Sequence, residues 1–198
     1  MPIISNDEEL VNVVNAKIND IITESDALGN QMEDTLRLIR KMQAFQRCIA
    51  KKNYSAALRL VIHYRNVLDV VKYLVEAGAD LNYELSLIYV TTRLHDVIDI
   101  HEYEIARYLV EKGANVMAVD AYGNTPLHIM MGNPPRVPEI ISKDDYIEMV
   151  ELLSDAMGIK NKNGQTPLDS SRGLHFLPLI RFKQYIETDA KNNPRPGP

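Results

Sequence analysis

A chain of 198 residues, 45% hydrophobic and 25% charged, is long enough for one sizeable core or a short repeat array and too apolar for bulk disorder. Its net charge of −5 argues against a general nucleic-acid binder, which needs a basic face to displace phosphate counterions. Cys48 is the only cysteine, which excludes an intramolecular disulfide and a thiolate metal cluster and fits a reducing, cytoplasmic setting.

The N-terminus, Met1-Pro2-Ile3-Ile4, runs directly into Ser5-Asn6-Asp7-Glu8-Glu9, with no basic n-region and no run near the ~18 apolar residues of a membrane span. Ser5-Asn6-Asp7-Glu8 has the S-x-x-E form of a capping box. Behind it Leu10, Val14, Ile18 and Ile21/Ile22 recur at helical spacing up to a stop at Leu28-Gly29-Asn30. A second helix is expected from about Met32 to Lys52, with Leu36, Ile39, Met42, Phe45 and Ile49 on one face. Its first turn carries Glu33 and Asp34 and its later turns Arg37, Arg40, Lys41, Arg47, Lys51 and Lys52, an order that complements the helix dipole. Such a run reads either as a solvated face or as a basic contact patch.

Two further helices are expected over Ser55–Asn66 and Leu68–Ala77, ending in Gly78-Ala79-Asp80-Leu81-Asn82. Ile105 to Val116 repeats that ending, with Lys112-Gly113 as a basic residue followed by a left-handed C-terminus. Between them the turn at Asn82–Leu87 reads as cut short and the stretch His95–His101 as a lengthened loop. A polar hairpin follows, Asp120-Ala121-Tyr122-Gly123-Asn124, and Thr125-Pro126 opens a helix with Thr as N-cap and Pro at the first position. The segment 132–145 holds three prolines that forbid a continuing helix, which resumes at Tyr146–Ala156. A second joint stands at Asn161 to Asp169, more helix is expected over 174–188, and residues 189–198 read as a disordered tail.

Thr125-Pro126-Leu127-His128 and Thr166-Pro167-Leu168, alternating with the two Gly-Ala-Asp/Asn endings, resemble the ankyrin repeat family over residues 51–188. Met130 stands where the family favours Ala, Asp169 replaces the signature His, and Ser170-Ser171 replace a small apolar pair. The resemblance implies an all-α solenoid of about four degenerate repeats (53–188), the last a C-terminal cap. Residues 1–52, which lack the signatures, read as an N-terminal helical-hairpin cap, or else as an oligomerisation module through residues 5–52. It also implies His128 as a structural hydrogen-bonding residue and a non-enzymatic, monomeric module that binds a protein partner through hairpin tips and the exposed side of each first helix. The matching positions are Tyr64, Arg65, Tyr83, Thr92, Arg93, Tyr122, Asn124, Asn163 and Gln165. The degenerate repeats and long insert extend the expectation to a microbial effector in a host cytoplasm, and Asn82 matches a position hydroxylated in some family members.

Against this stands one enzymatic alternative. His95, Asp96, Asp99, His101, Glu102 and Glu104 cluster in one stretch and are side chains that suit zinc or harder cations, although no H-x-x-x-H pair orders them. No phosphate-loop, dinucleotide, nucleophile-elbow or zincin motif is present, so no cofactor is expected.

Overall fold

The computed structural model describes residues 4–27, 32–64, 67–82, 91–133 and 143–171. Among them the chain is all-helical: α1 (Asp7–Ala27), α2 (Met32–Ala50), α3 (Tyr54–Val61), α4 (Leu68–Glu76), α5 (Arg93–Asp99), α6 (Tyr103–Glu111), α7 (Pro126–Gly132) and α8 (Lys143–Leu152), then a 3-10 turn at Ser154–Ala156. The helix expected over 174–188 and the tail lie outside the described residues, as do Arg65 and Tyr83.

The capping box of α1 sits one residue later than its sequence suggests. Asn6 is the cap: its Oδ1 accepts the Glu9 N–H at 2.9 Å, while Glu9 Oε2 accepts the Ser5 N–H at 2.9 Å and hydroxyl at 2.6 Å. Helical spacing then buries Leu10, Val14 and Ile18 on one side. These join Phe45 and Ile49 of α2 in a core continuous with Leu58, Val61 and Ile62 around α3 and Val70, Val71 and Leu74 of α4. Asp7 seals the seam at the N-terminal end, accepting hydroxyl protons from Tyr54 at 3.2 Å and Tyr73 at 2.9 Å. Burial first, then the hydrogen bond and charge of Asp7, push the Tyr73 phenol up to about 12.

Packing is sequential. α1 lies against α2 and α4, α2 against α3, α3 against α4, α4 against α6, α6 against α5 and α8, and α5 against α7. Most of these pairs are neighbours or next neighbours in chain order, while α1 reaches across to α4.

Four helix ends share one device. Ala79 N–H reaches Leu74 O and Ala114 N–H reaches Leu109 O, each at 2.9 Å, across Gly78 (φ 98°) and Gly113 (φ 92°). The same six-residue closure joins Asn53 N–H to Cys48 O and Glu102 N–H to Val97 O, also at 2.9 Å, but there Lys52 (φ 52°) and His101 (φ 63°) occupy the left-handed position. Those two ends carry no glycine, which hides them from a sequence reading.

The expected proportions of the middle joint are reversed. Thr92 caps α5, so Gly78 to Thr92 spans 14 residues (92 − 78) against 12 for Gly113 to Thr125 (125 − 113). The surplus lies before Thr92. The segment His95–Asp99 is helix, and only Ile100, His101 and Glu102 connect α5 to α6. A left-handed residue turns the chain in so short a span, which is why His101 has positive φ.

Two stability changes follow. Lys52→Gly should raise stability by roughly 0.5–1 kcal/mol by relieving a left-handed side chain, whereas Asp7→Ala should lower it by about 1–2 kcal/mol because two phenols lose a charged acceptor. Urea denaturation measures both, and a destabilised Lys52→Gly protein would refute the first.

Candidate interaction surface

Three joints position everything exposed at the turn edge, and each is built on a threonine cap and its partner three residues on. At Thr125 the backbone N–H donates to His128 Nδ1 at 3.0 Å, and His128 Nε2 lies 3.0 Å from Gln165 O. At Thr92 the N–H donates to His95 Nδ1 at 3.3 Å, and His95 Nε2 lies 2.9 Å from Asn124 O. With Nδ1 accepting, Nε2 carries the proton and donates, which defines one neutral tautomer for both rings. At Thr166 the replacement residue closes the cap of its own turn. Asp169 Oδ2 accepts the Thr166 N–H at 2.9 Å and hydroxyl at 2.7 Å.

The sequence suggests a solvated loop around His95, with a metal as the alternative, and the structure instead places His95 in a buried helix cap. The ring is buried with both nitrogens engaged, Nδ1 in the capping box and Nε2 at the Asn124 carbonyl. Among the described residues no group of three His, Cys, Asp or Glu side chains is arranged to hold a metal ion. Thr92-Arg93-Leu94-His95 is a Thr-x-Leu-His joint with Arg in the proline position, and the signal for it is the 33-residue spacing from Thr92 to Thr125 (125 − 92).

The same geometry removes two expected contact residues. Thr92 is buried as the cap, and Arg93 is fully buried with its Nη1 2.8 Å from Asp96 Oδ2, so neither faces a partner. Tyr64 is half-buried against the core with Lys41 Nζ 5.3 Å from its ring centre. Asn124 is half-buried too, bonded to Asp120 through its backbone N–H (2.7 Å) and to Asn161 through its Oδ1 (2.9 Å).

What remains exposed is concentrated. Met117 (52%), Val119 (42%) and Tyr122 (66%) are the exposed large hydrophobic residues among those described, and all belong to the turn between α6 and α7. Asp120 organises this turn: its Oδ1 accepts the Tyr122 and Asn124 N–H groups at 2.8 and 2.7 Å. Asn163 and Gln165 stand exposed on the neighbouring turn. The two turns are joined by Lys162 N–H to Tyr122 O at 3.0 Å and Lys162 Nζ to Ala121 O at 2.7 Å. Gly123 (φ 78°) is held closely here, since a Cβ would meet Lys162 N at 2.9 Å. One turn earlier, Asn82 Oδ1 accepts the Asn115 N–H at 2.9 Å, a structural role for this asparagine.

On the other side a groove of about 720 Å3 runs along α4 and α6, lined by Lys72, Tyr103, Arg107, Tyr108 and Glu111 among others. Its cations are held within the fold: Lys72 lies over the Tyr108 ring, and Arg107 pairs with Glu148 at 2.7 Å.

No family model matches the chain. It is similar to an ankyrin repeat protein of fowlpox virus, 28% identical over 113 residues, which cover 57% of this chain and 31% of that protein. It is also similar to BRCA1-associated RING domain protein 1 of Caenorhabditis elegans, 31% identical over 147 residues, which cover 74% of this chain and 19% of that protein. The chain therefore spans less than a third of the length of either relative.

The buried imidazole makes the joint sensitive to pH. Burial lowers the pKa of His95 and His128 lowers it further, outweighing the Asn124 carbonyl, Asp120 and Asp96, which raise it. The unfolded state then binds the proton more readily, so this stability is complete above the ordinary histidine value of ~6.5 and is lost as pH falls below it. Thermal denaturation should show His95→Asn less stable than wild type at neutral pH by about 1–3 kcal/mol, with a shallower loss on acidification. Parallel pH profiles for the two proteins would refute this role.

Proposed function

We propose that the chain is a degenerate ankyrin-type solenoid acting as a non-enzymatic module that binds a protein partner through its projecting turns. Residues 1–52 act as its N-terminal cap. The observation that carries the reading is the exposure of Met117, Val119 and Tyr122 together on one turn whose backbone is held by Asp120 and Lys162. A rigid loop that presents apolar and aromatic side chains loses little entropy on binding, as an interface anchor requires. Asn163 and Gln165, exposed on the turn bonded to it, extend the surface. Similarity to a repeat protein of a virus supports an interaction role and is compatible with an effector acting inside a host cell.

A separate oligomerisation module at residues 5–52 is less well supported, because Leu10, Val14, Ile18, Phe45 and Ile49 spend their apolar surface on a core shared with α3 and α4. As a cap, the hairpin covers a flank that is otherwise wet.

The test is affinity capture of a partner by wild type, by Tyr122→Ala with Met117→Ser, and by Glu151→Ala, an exposed position of α8, as control. The finger variant should lose at least about 2 kcal/mol, or roughly thirtyfold in affinity, with an unchanged melting temperature. Undiminished binding by the folded finger variant would move the interface elsewhere.

A further inference from the structure

Residues 35–68 contain eight Lys or Arg and no Asp or Glu, in a chain that has 27 acidic residues. With the whole chain at −5, everything outside that stretch carries −13 (−5 − 8). Among the described residues the salt bridges of the fold do not reach this segregated charge. Arg37, Arg40, Arg47 and Arg59 are exposed, and among the described residues none of them, nor Lys41, pairs with a carboxylate. Acids are abundant on the other helices, where Lys17, Arg93 and Arg107 all find one.

The cations also act on one another across elements. Arg37 adds to the effect of partial burial in lowering the pKa of Lys41 one turn on. On α3, the adjoining His63 is lowered by partial burial and then, against the opposing pull of Asp96, by Lys41, Arg93 and Arg59. α2 and α3 therefore share one positive field, whereas Arg93 at the start of α5 is offset by its partner Asp96. Like charges held this close cost stability, and a bound anion removes that cost.

We propose that the α2–α3 face docks an acidic segment of the protein partner, an inference that rests on the interaction reading above and gives that partner a chemistry. Polyanions of other classes fit less well. A nucleic acid or an anionic membrane extends beyond two helices and meets the −13 of the remaining chain, and the described aromatic rings of this stretch are engaged, Phe45 in the core, Tyr54 with Asp7 and Tyr64 under Lys41. A short acidic peptide engages the positive face alone.

The test uses the full chain and a fluorescein-labelled polyglutamate peptide, with binding read by anisotropy at low and physiological salt. The wild type should bind, less tightly as salt rises, and Arg37→Glu/Arg40→Glu/Arg59→Glu should weaken binding by at least about tenfold. Arg40→Gln/Arg59→Gln serves if the triple variant fails to keep its helical circular dichroism, and should show a smaller loss in the same direction. Equal affinity in wild type and folded variants would overturn the proposal. So would tighter binding of duplex DNA or phosphatidylserine vesicles than of the peptide, or a wild-type dimer in sedimentation that the reversal dissolves. Tyr122→Ala separates the two readings. If it abolishes partner capture while polyglutamate fails to bind, the acidic-segment inference falls and the finger stands. If polyglutamate binds but the finger variants capture normally, the finger falls and the basic face stands.

Discussion

Everything exposed on the turn edge depends on one hydrogen-bonded arrangement, a threonine cap closed by a buried imidazole. The ring completes the cap of its own helix through Nδ1 and bonds the carbonyl just before the next cap through Nε2. Local helix initiation and the spacing between units are thereby set by a single side chain. Because both nitrogens are used in the neutral form, a proton cannot be added without breaking the bond at Nδ1. That is why a buried histidine here is a structural element.

The joint also explains where the chain can present side chains. With the His95 and His128 rings holding Asn124 and Gln165 from behind, the residues just ahead of those carbonyls project as turns stiffened by Asp120 and Asn161. Apolar exposure on such a turn costs solubility, and the described residues show it in one place, around Tyr122. The basic face of α2 and α3 is a second departure from neutral surface design. Its arginines Arg37, Arg40, Arg47 and Arg59 face solvent beside a core to which α1 also contributes. On the proposed interaction reading, a stiff apolar tip and a positive face would give a partner two kinds of contact, one dry and one salt-sensitive.

Much of the helical framework is legible because it is written in local signals. Leu10, Val14 and Ile18 repeat every four residues, Gly78 and Gly113 mark two helix ends, and Thr125-Pro126 marks a start. What escapes is every case in which an atypical residue fills the usual role. Lys52 and His101 turn the chain where glycine is expected, and Arg93 occupies the proline position, so the joint at Thr92 passes for a loop and its histidine for a solvated side chain. The start of α1 slips by one residue because Ser5 and Asn6 are both competent caps, and only the backbone geometry chooses between them.

The sequence by itself determined the helical class, the order of units, the role of His128 and the segregation of basic residues, since periodicity, capping chemistry and charge are properties of neighbours along the chain. Tertiary structure decided which polar and aromatic residues are free to act. Thr92 and Arg93 are buried, Tyr64 is half-covered, and Asn124 is drawn into a bond with Asn161, while Tyr122 stays out. The physical reason is that exposure is a property of what packs alongside from distant parts of the chain, and a side chain carries no mark of it in its own neighbourhood.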